Sequence, residues 1–416
     1  VIFTIGRMKR VKEYEKGSKL NFLKKLSIKK FNIENEKPTK WFHALNKKRS
    51  WILILIPISL IILFLAQANP WIAEYVFARG IYKWLSQGFS LITGMVPFSI
   101  MEIEVIVLPI LGIILILRFL WGIVKKIYKA QSNLGYYIAN GLLNGACIFS
   151  VFLFLFVIFA GVNYQRYSFA AYSGLEIKAS SVEELYNLNV ELAKEASDIR
   201  TKLHIEGAED ENGVVRLSSD DWNEIGKEAA ESFDKLAEKY PVLGGNYGTP
   251  KPVSFSKFMS RMEITGIYWP FTLEANVNVD TTEYSIPVTM NHELAHLRGF
   301  MREDEANFIA YLACKESDDL TFQYSGVMLA LSYVSNELYK ADKELYGKVA
   351  ELYNPYMIAD MREEYYYWKQ FEDTVISTIS NTMNDTYLKA NNQADGVKSY
   401  GRMVDLLLAE YRENSK

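Results

Sequence analysis

The run Asn291-His292-Glu293-Leu294-Ala295-His296 holds two of the chain's four histidines, four residues apart, with a glutamate directly after the first. On a helix, positions i and i+4 share a face. Both imidazoles can then meet one metal ion, while Glu293 projects from the adjacent turn toward a water on that ion. This is the H-E-x-x-H arrangement of zinc metalloproteases, two ligands and a general base. The competing explanation is a histidine pair that caps or fills a helix, and the scarcity of histidine in this chain weighs against it.

A catalytic zinc takes three protein ligands and a water, so a third ligand is needed. His43 falls on the cytoplasmic side of the topology argued below, and His204 lies far upstream and reads as an ordinary histidine. A carboxylate fits better. Gly299 suits the positive-φ position that ends a helix and reverses the chain, and a second helix is expected from near Arg302. On it Glu303, Ala306, Asn307 and Ala310 share one face, and the alanines allow close approach to the motif helix. Glu303 is the first choice as ligand, with Asn307 one turn below as its supporting hydrogen-bond partner. Glu305 points about 200° round the helix and is the runner-up. The plainer explanation is that these acids, with Asp304, complement the helix dipole.

Metal-assisted hydrolysis is the chemistry such a set supports. Glu293 takes a proton from the attacking water and passes it to the leaving amine. Thr272 to Asp280 alternates apolar and polar residues, the period-2 mark of a half-buried strand. It is expected to form the cleft edge, with Glu274 and Asn276 along an extended substrate. Tyr268, Tyr400 and Arg402 are the candidates to stabilise an oxyanion.

These groups must be held by a membrane-anchored, largely helical chain. Residues 51–68, 105–124 and 142–162 are three apolar runs, each about long enough to cross a ~30 Å hydrocarbon core, and aromatic residues flank them. Residues 1–50 carry 15 lysines and arginines against 4 acids, whereas residues from 163 onward carry 25 against 42. Lys47, Lys48 and Arg49 precede the first span, and Lys125, Lys126 and Lys129 follow the second. The loop between the first two spans offers only Arg79 and Lys83. The positive-inside rule therefore puts the N-terminus in the cytoplasm and residues 163–416 outside it. No cleavable signal peptide is expected. The acidic bulk argues against nucleic acid as a ligand. Neither Cys147 nor Cys314 has a cysteine partner at metal-ligand spacing, and Cys314 reads as a small buried apolar residue. Helices are expected from Ser181 to about Leu203, within Ser218–Tyr240, from between Ser285 and Pro287 through the motif, over 303–353 and 360–383, and in the tail from Ser399 to Tyr411.

Gly266 to Asn278, His292 to Phe300 and Arg302 to Leu312 resemble, in that order, the bacterial family catalogued as domain of unknown function 3810. So do Tyr387-Leu388-Lys389-Ala390-Asn391 and Gly396 to Arg402. The resemblance runs from roughly Trp51 to the C-terminus. It implies a few N-terminal spans followed by a zincin-like domain. Glu303-x-x-x-Asn307-Phe308-x-Ala310 is also similar to the second-helix signature of gluzincin-type peptidases. There the first glutamate is the zinc ligand, which favours Glu303. Six residues separate His296 from Glu303 here, fewer than in most gluzincins.

The expected fold is thus α+β and mainly helical. A basic cytoplasmic segment (1–50) leads into a membrane domain (51–162) and an extracytoplasmic zincin-like domain (163–416). The expected function is a multi-pass plasma-membrane zinc metallopeptidase acting on peptides or proteins outside the cytoplasm. Membrane lipid and the substrate are its expected partners. The alternative is a zinc-binding sensor or accessory subunit of an envelope complex without catalysis.

Overall fold

The computed structural model describes residues 48–131, 133–391 and 402–415. His43, Tyr400 and nearly all of the basic N-terminal segment lie outside them. Helix α1 (Lys48–Ala68) is followed by α2 (Ile72–Tyr82), wound with i→i+5 hydrogen bonds, and α3 (Lys83–Gly94). Then come α4 (Ile100–Tyr128) and α5 (Leu134–Phe159). Of these, α1, α4 and α5 are long and apolar enough to cross a membrane. Only 11%, 11% and 33% of their apolar windows are buried, so side chains such as Leu115 and Leu117 face outward and call for an apolar solvent. α5 stops earlier than the sequence suggested because Gly161–Gln165 tightens into a 3-10 turn.

By its internal contacts the chain divides into two units, Leu115–Ile148 with the residues up to Leu53, and Ile54–Ile114 with Phe149–Lys416. In the first, Phe119 stacks on Tyr137 at 5.6 Å, and Arg49 donates to Asn140 at 2.8 Å. Gly141 lets the helices close, since a Cβ there would stand 2.1 Å from the Phe119 ring.

The second unit carries the candidate site. α6 (Val182–Glu206) starts with the expected capping box, Ser181 Oγ accepting from Glu184 N and Glu184 accepting from Ser181 N, two orphan donors satisfied reciprocally. α7 (Trp222–Lys239) is capped by Asp221. A three-stranded sheet follows, built from β1 (Lys251–Pro252), β2 (Gly266–Trp269) and β3 (Glu274–Val277). α8 (Ile286–Leu297) holds the histidine motif and begins where expected, with Pro287 in its first turn, where a missing N–H costs little. α9 (Glu303–Glu316) follows after Gly299 at φ +85°. The helical pattern over 303–353 breaks into α9, α10 (Leu320–Ala341) and α11 (Lys343–Ala350), because Asp319 and Asp342 cap new helices. α12 (Pro355–Lys369), α13 (Val375–Ala390) and α14 (Arg402–Asn414) complete the chain. Phe233, Leu294, Phe308, Phe322 and Val327, from α7, α8, α9 and α10, are fully buried, each contributing about 1.5–3 kcal/mol by leaving water. Cys314 is part of this core. Its thiol is pushed up to about 12 by burial, as an inert packing residue requires.

The sheet corrects one expectation. Its order is β1-β3-β2, with β1 parallel and β2 antiparallel to β3. β3 is therefore the central strand and cannot serve as a cleft edge, and it is buried along its whole length. Glu274 and Asn276 have a different task. Glu274 accepts from Ile100 N at 3.1 Å and Met101 N at 3.0 Å, capping the start of α4, and pairs with Lys251 at 2.6 Å. Ser99 Oγ donates to Asn276 Oδ1 at 2.6 Å. A carboxylate at a helix N-terminus satisfies orphan N–H groups and complements the dipole. The two residues tie the sheet to the second apolar helix.

α2 and α3 were not foreseen; the sequence marked residues 69–104 only as a loop. They pack on the elements of the candidate site. Tyr82 Oη lies 3.0 Å from Leu297 O, and Gln87 Oε1 accepts from Asn246 N at 2.7 Å. Glu74 is held in a buried ion pair with Arg166 at 3.0 Å.

Candidate metal centre

α8 and α9 approach closely because their facing positions are small. Ala295, Ala306 and Ala310 are fully buried, and Gly299 permits the turn between the helices. A Cβ on Gly299 would stand 3.1 Å from the Tyr82 ring and 3.2 Å from Arg166 Nη1. The turn brings Glu303 opposite the histidine pair. Glu303 Oε2 lies 3.2 Å from His292 Nε2, and Oε1 lies 3.6 Å from His296 Nε2. One ligand atom from each residue falls within a 4.8 Å set.

The outer nitrogens of both rings are engaged. His292 Nδ1 donates to Asn307 Oδ1 at 2.8 Å, and Asn307 Nδ2 donates to Tyr333 Oη at 3.1 Å. His296 Nδ1 donates to Phe300 O at 2.7 Å. These acceptors take up each Nδ1–H, so Nε2 is the nitrogen of each ring that faces the shared point. A zinc ion fits such a donor set of two nitrogens and a carboxylate.

The charges follow from the packing. Burial pulls the His292 pKa down, but the hydrogen bond and charge of Glu303 outweigh it and hold it at about 9. Burial and the neighbouring His292 push His296 down to about 4. Glu303 is raised by burial, yet the two imidazoles bring it below its ordinary value. Glu293 is pushed up to about 8 by burial, with the Glu303 charge adding to it. The nearby Tyr268 backbone N–H offsets part of this rise, while Glu293 Oε2 is buried without a hydrogen-bond partner among the described residues. An unpaired carboxyl oxygen in a buried site costs free energy, and strongly shifted buried groups of this kind cluster at functional sites. β2 stands directly against it, since a Cβ on Gly266 would come within 2.4 Å of Glu293 Oε1.

Among the residues singled out from the sequence, His292, Glu293, His296, Glu303 and Asn307 come together. Glu305 does not. Its Oε1 accepts from Phe169 N at 3.1 Å and Arg302 Nη1 at 2.9 Å, so it fastens the chain after α5 to the start of α9. His204 pairs with Glu209 at 2.9 Å and stacks on Tyr356, as an ordinary histidine does. Tyr268 has its ring 6.4 Å from that of His296, but its hydroxyl is engaged with Tyr82 Oη and Phe159 O, both at 3.0 Å. Arg402 begins α14 and is exposed. Three residues near the site had no periodic signal to mark them: Tyr333, Tyr82 and Tyr387. The pKa of Tyr387 is raised by burial with a contribution from the Glu303 charge, and its hydroxyl meets Tyr164 Oη at 3.2 Å. Only the family resemblance pointed to Tyr387.

Residues 77–408 match the model of the family described as Protein of unknown function (DUF3810). The match covers the site and most of the chain, so the chain belongs to that family. No curated protein and no solved structure matches the chain.

Proposed function

We propose that the chain is a membrane-anchored zinc metallopeptidase whose ligands are His292, His296 and Glu303. The reading rests on the convergence of those three side chains within 4.8 Å beside the unpaired Glu293 Oε2. A bound zinc supplies Lewis acidity and an acidified water. Glu293 is the proton carrier: it takes the proton of the attacking water and delivers it to the leaving amine. Asn307 and the Phe300 carbonyl keep the two rings aimed. The strand beside Glu293 with only one partner among the described residues is β2, which offers the edge for an extended peptide. The catalytic face lies outside the cytoplasm. This topology is supported by the lysine-rich flanks of α1 and α4 and by the packing of α2 and α3 against the same unit as α8.

The test uses the full chain purified in detergent. Zinc content is measured by atomic emission and hydrolysis with a peptide library. The wild type should carry about one zinc per chain and cleave. Glu293→Gln should retain the metal and lose cleavage. Full zinc content in both His292→Ala and His296→Ala refutes the site. Cleavage undiminished in Glu293→Gln refutes the peptidase reading.

A further inference from the structure

Away from the histidine cluster, a cavity of about 290 Å³ opens between α2, α3, the segment after α5 and the ends of α7 and α8. Five of its lining residues are cations: Arg79, Lys83, Arg166, Lys239 and Arg298. No carboxylate among the described residues lines it. The nearby Glu74 engages Arg79 at 2.8 Å and Arg166 at 3.0 Å, Asp234 acts on Arg298 and Glu410 on Lys239 through charge alone, and these carboxylates leave the five cations in excess. Arg166 and Arg298 are 3% and 5% exposed, so their guanidinium groups are built into the fold. Arg298 donates to the carbonyls of Leu243 at 2.9 Å and Leu294 at 3.2 Å and lies over the Tyr247 ring at 4.6 Å. Its hydrogen-bond and ring partners are neutral groups, with Asp234 a nearby charge of opposite sign. The Lys83 pKa is lowered by burial and by Arg79, Arg166 and Arg298. Clustering like charges in a half-closed cavity costs free energy that a bound anion removes.

We propose that this cavity binds a phosphate group. A carboxylate offers one charge and two acceptor oxygens. A phosphate group carries one charge as a diester and up to two as a monoester, and its acceptor oxygens can engage guanidinium forks and lysine ammonium groups together. The volume lies at the low end for ligand pockets, right for a phosphate with a small substituent and too small for an extended peptide. Arg79 lies on the helix directly after α1, and Arg166 follows closely after α5, so the cavity is close along the chain to the ends of two apolar helices. The phosphate can therefore come from a lipid head group or from a soluble phosphate compound.

The experiment compares the full chain with a Lys83→Glu/Lys239→Glu variant; both lysines reach solvent, and equal melting temperatures in chloride show that the fold is kept. One arm titrates inorganic phosphate against chloride at matched ionic strength. The other reconstitutes both proteins in phosphatidylglycerol/phosphatidylcholine nanodiscs and counts retained lipid by native mass spectrometry. Saturable phosphate binding by the wild type, weakened about tenfold or more by two charge reversals, supports the site. Retention of phosphatidylglycerol by the wild type over the variant identifies the source as lipid. Phosphate binding with equal lipid retention identifies a soluble phosphate compound. No saturable phosphate binding, together with equal lipid retention, overturns the proposal.

Discussion

Replacing Asn307 with alanine isolates the support behind His292, a contact made from one helix of the candidate metal centre to the other. The side chain is 6% exposed and receives the Nδ1–H of His292 at 2.8 Å. Without it, that N–H has no acceptor in a ring only 15% exposed, so water replaces it poorly. A buried donor left unpaired costs about 1–3 kcal/mol. Charged to the metal-bound state, about 2 kcal/mol is a roughly 30-fold loss of affinity, inside the roughly 10- to 100-fold range for changes behind a metal ligand. Asn307→Asp keeps an acceptor in place and should hold affinity within about threefold of the wild type. The assay is competition with a chelating dye on the full chain in detergent. The melting temperature of each metal-free variant reports the fold, because Tyr333 also loses its hydrogen bond from Asn307. A folded Asn307→Ala protein that binds zinc as tightly as the wild type would refute the reasoning.

Other outcomes follow from the same geometry. Glu303→Gln should weaken zinc affinity more than Asn307→Ala does, whereas Glu305→Gln should leave it unchanged and lower the melting temperature, since Glu305 holds Phe169 and Arg302; the same dye titration reads both. Gly266→Ala should retain zinc and lose about tenfold or more in kcat, because the new Cβ displaces the Glu293 carboxyl; unchanged turnover would mean that β2 yields. His292 is raised to about 9 and Glu293 to about 8 in the metal-free fold. Each binds its proton more tightly folded than unfolded, so the metal-free protein should lose stability as pH rises from about 6.5 to 9. Calorimetric melts across that window check the sign, and a rising melting temperature would contradict the assigned protonation states. Alkaline phosphatase fused after Tyr164 should be active and after Lys129 inactive; the reverse pattern inverts the topology.

Much of this protein is written in short-range pattern. The i, i+4 spacing of His292 and His296 places two ligands on one face whatever surrounds the helix. Ser181 and Glu184 form their capping box from local geometry alone, and Gly299 meets a local demand for positive φ. The three apolar runs are legible because membrane crossing is a matter of length and composition. The face shared by Glu303 and Asn307 follows from helical period, so these residues could be nominated before any contact was known.

What tertiary structure decided depends on partners distant in sequence. Period could not show that Glu305 is taken by the backbone of Phe169, so the choice between two nearby acids had to wait for packing. Alternation marked Thr272 to Asp280 as strand, but whether a strand is central or an edge is set by its neighbours, and β1 and β2 both claimed β3. Glu274 and Asn276 were drawn to the start of α4, which no local signal announces. The helices over residues 72–94 escaped notice because α2 is wound with i→i+5 hydrogen bonds, off the usual helical period, and α3 buries Ser86 and Ser90 rather than an apolar stripe. The cationic cavity is assembled from five segments, and its charges converge only when the chain is folded. Sequence period fixes which way a side chain leaves its own element; what it meets there is settled by the rest of the fold.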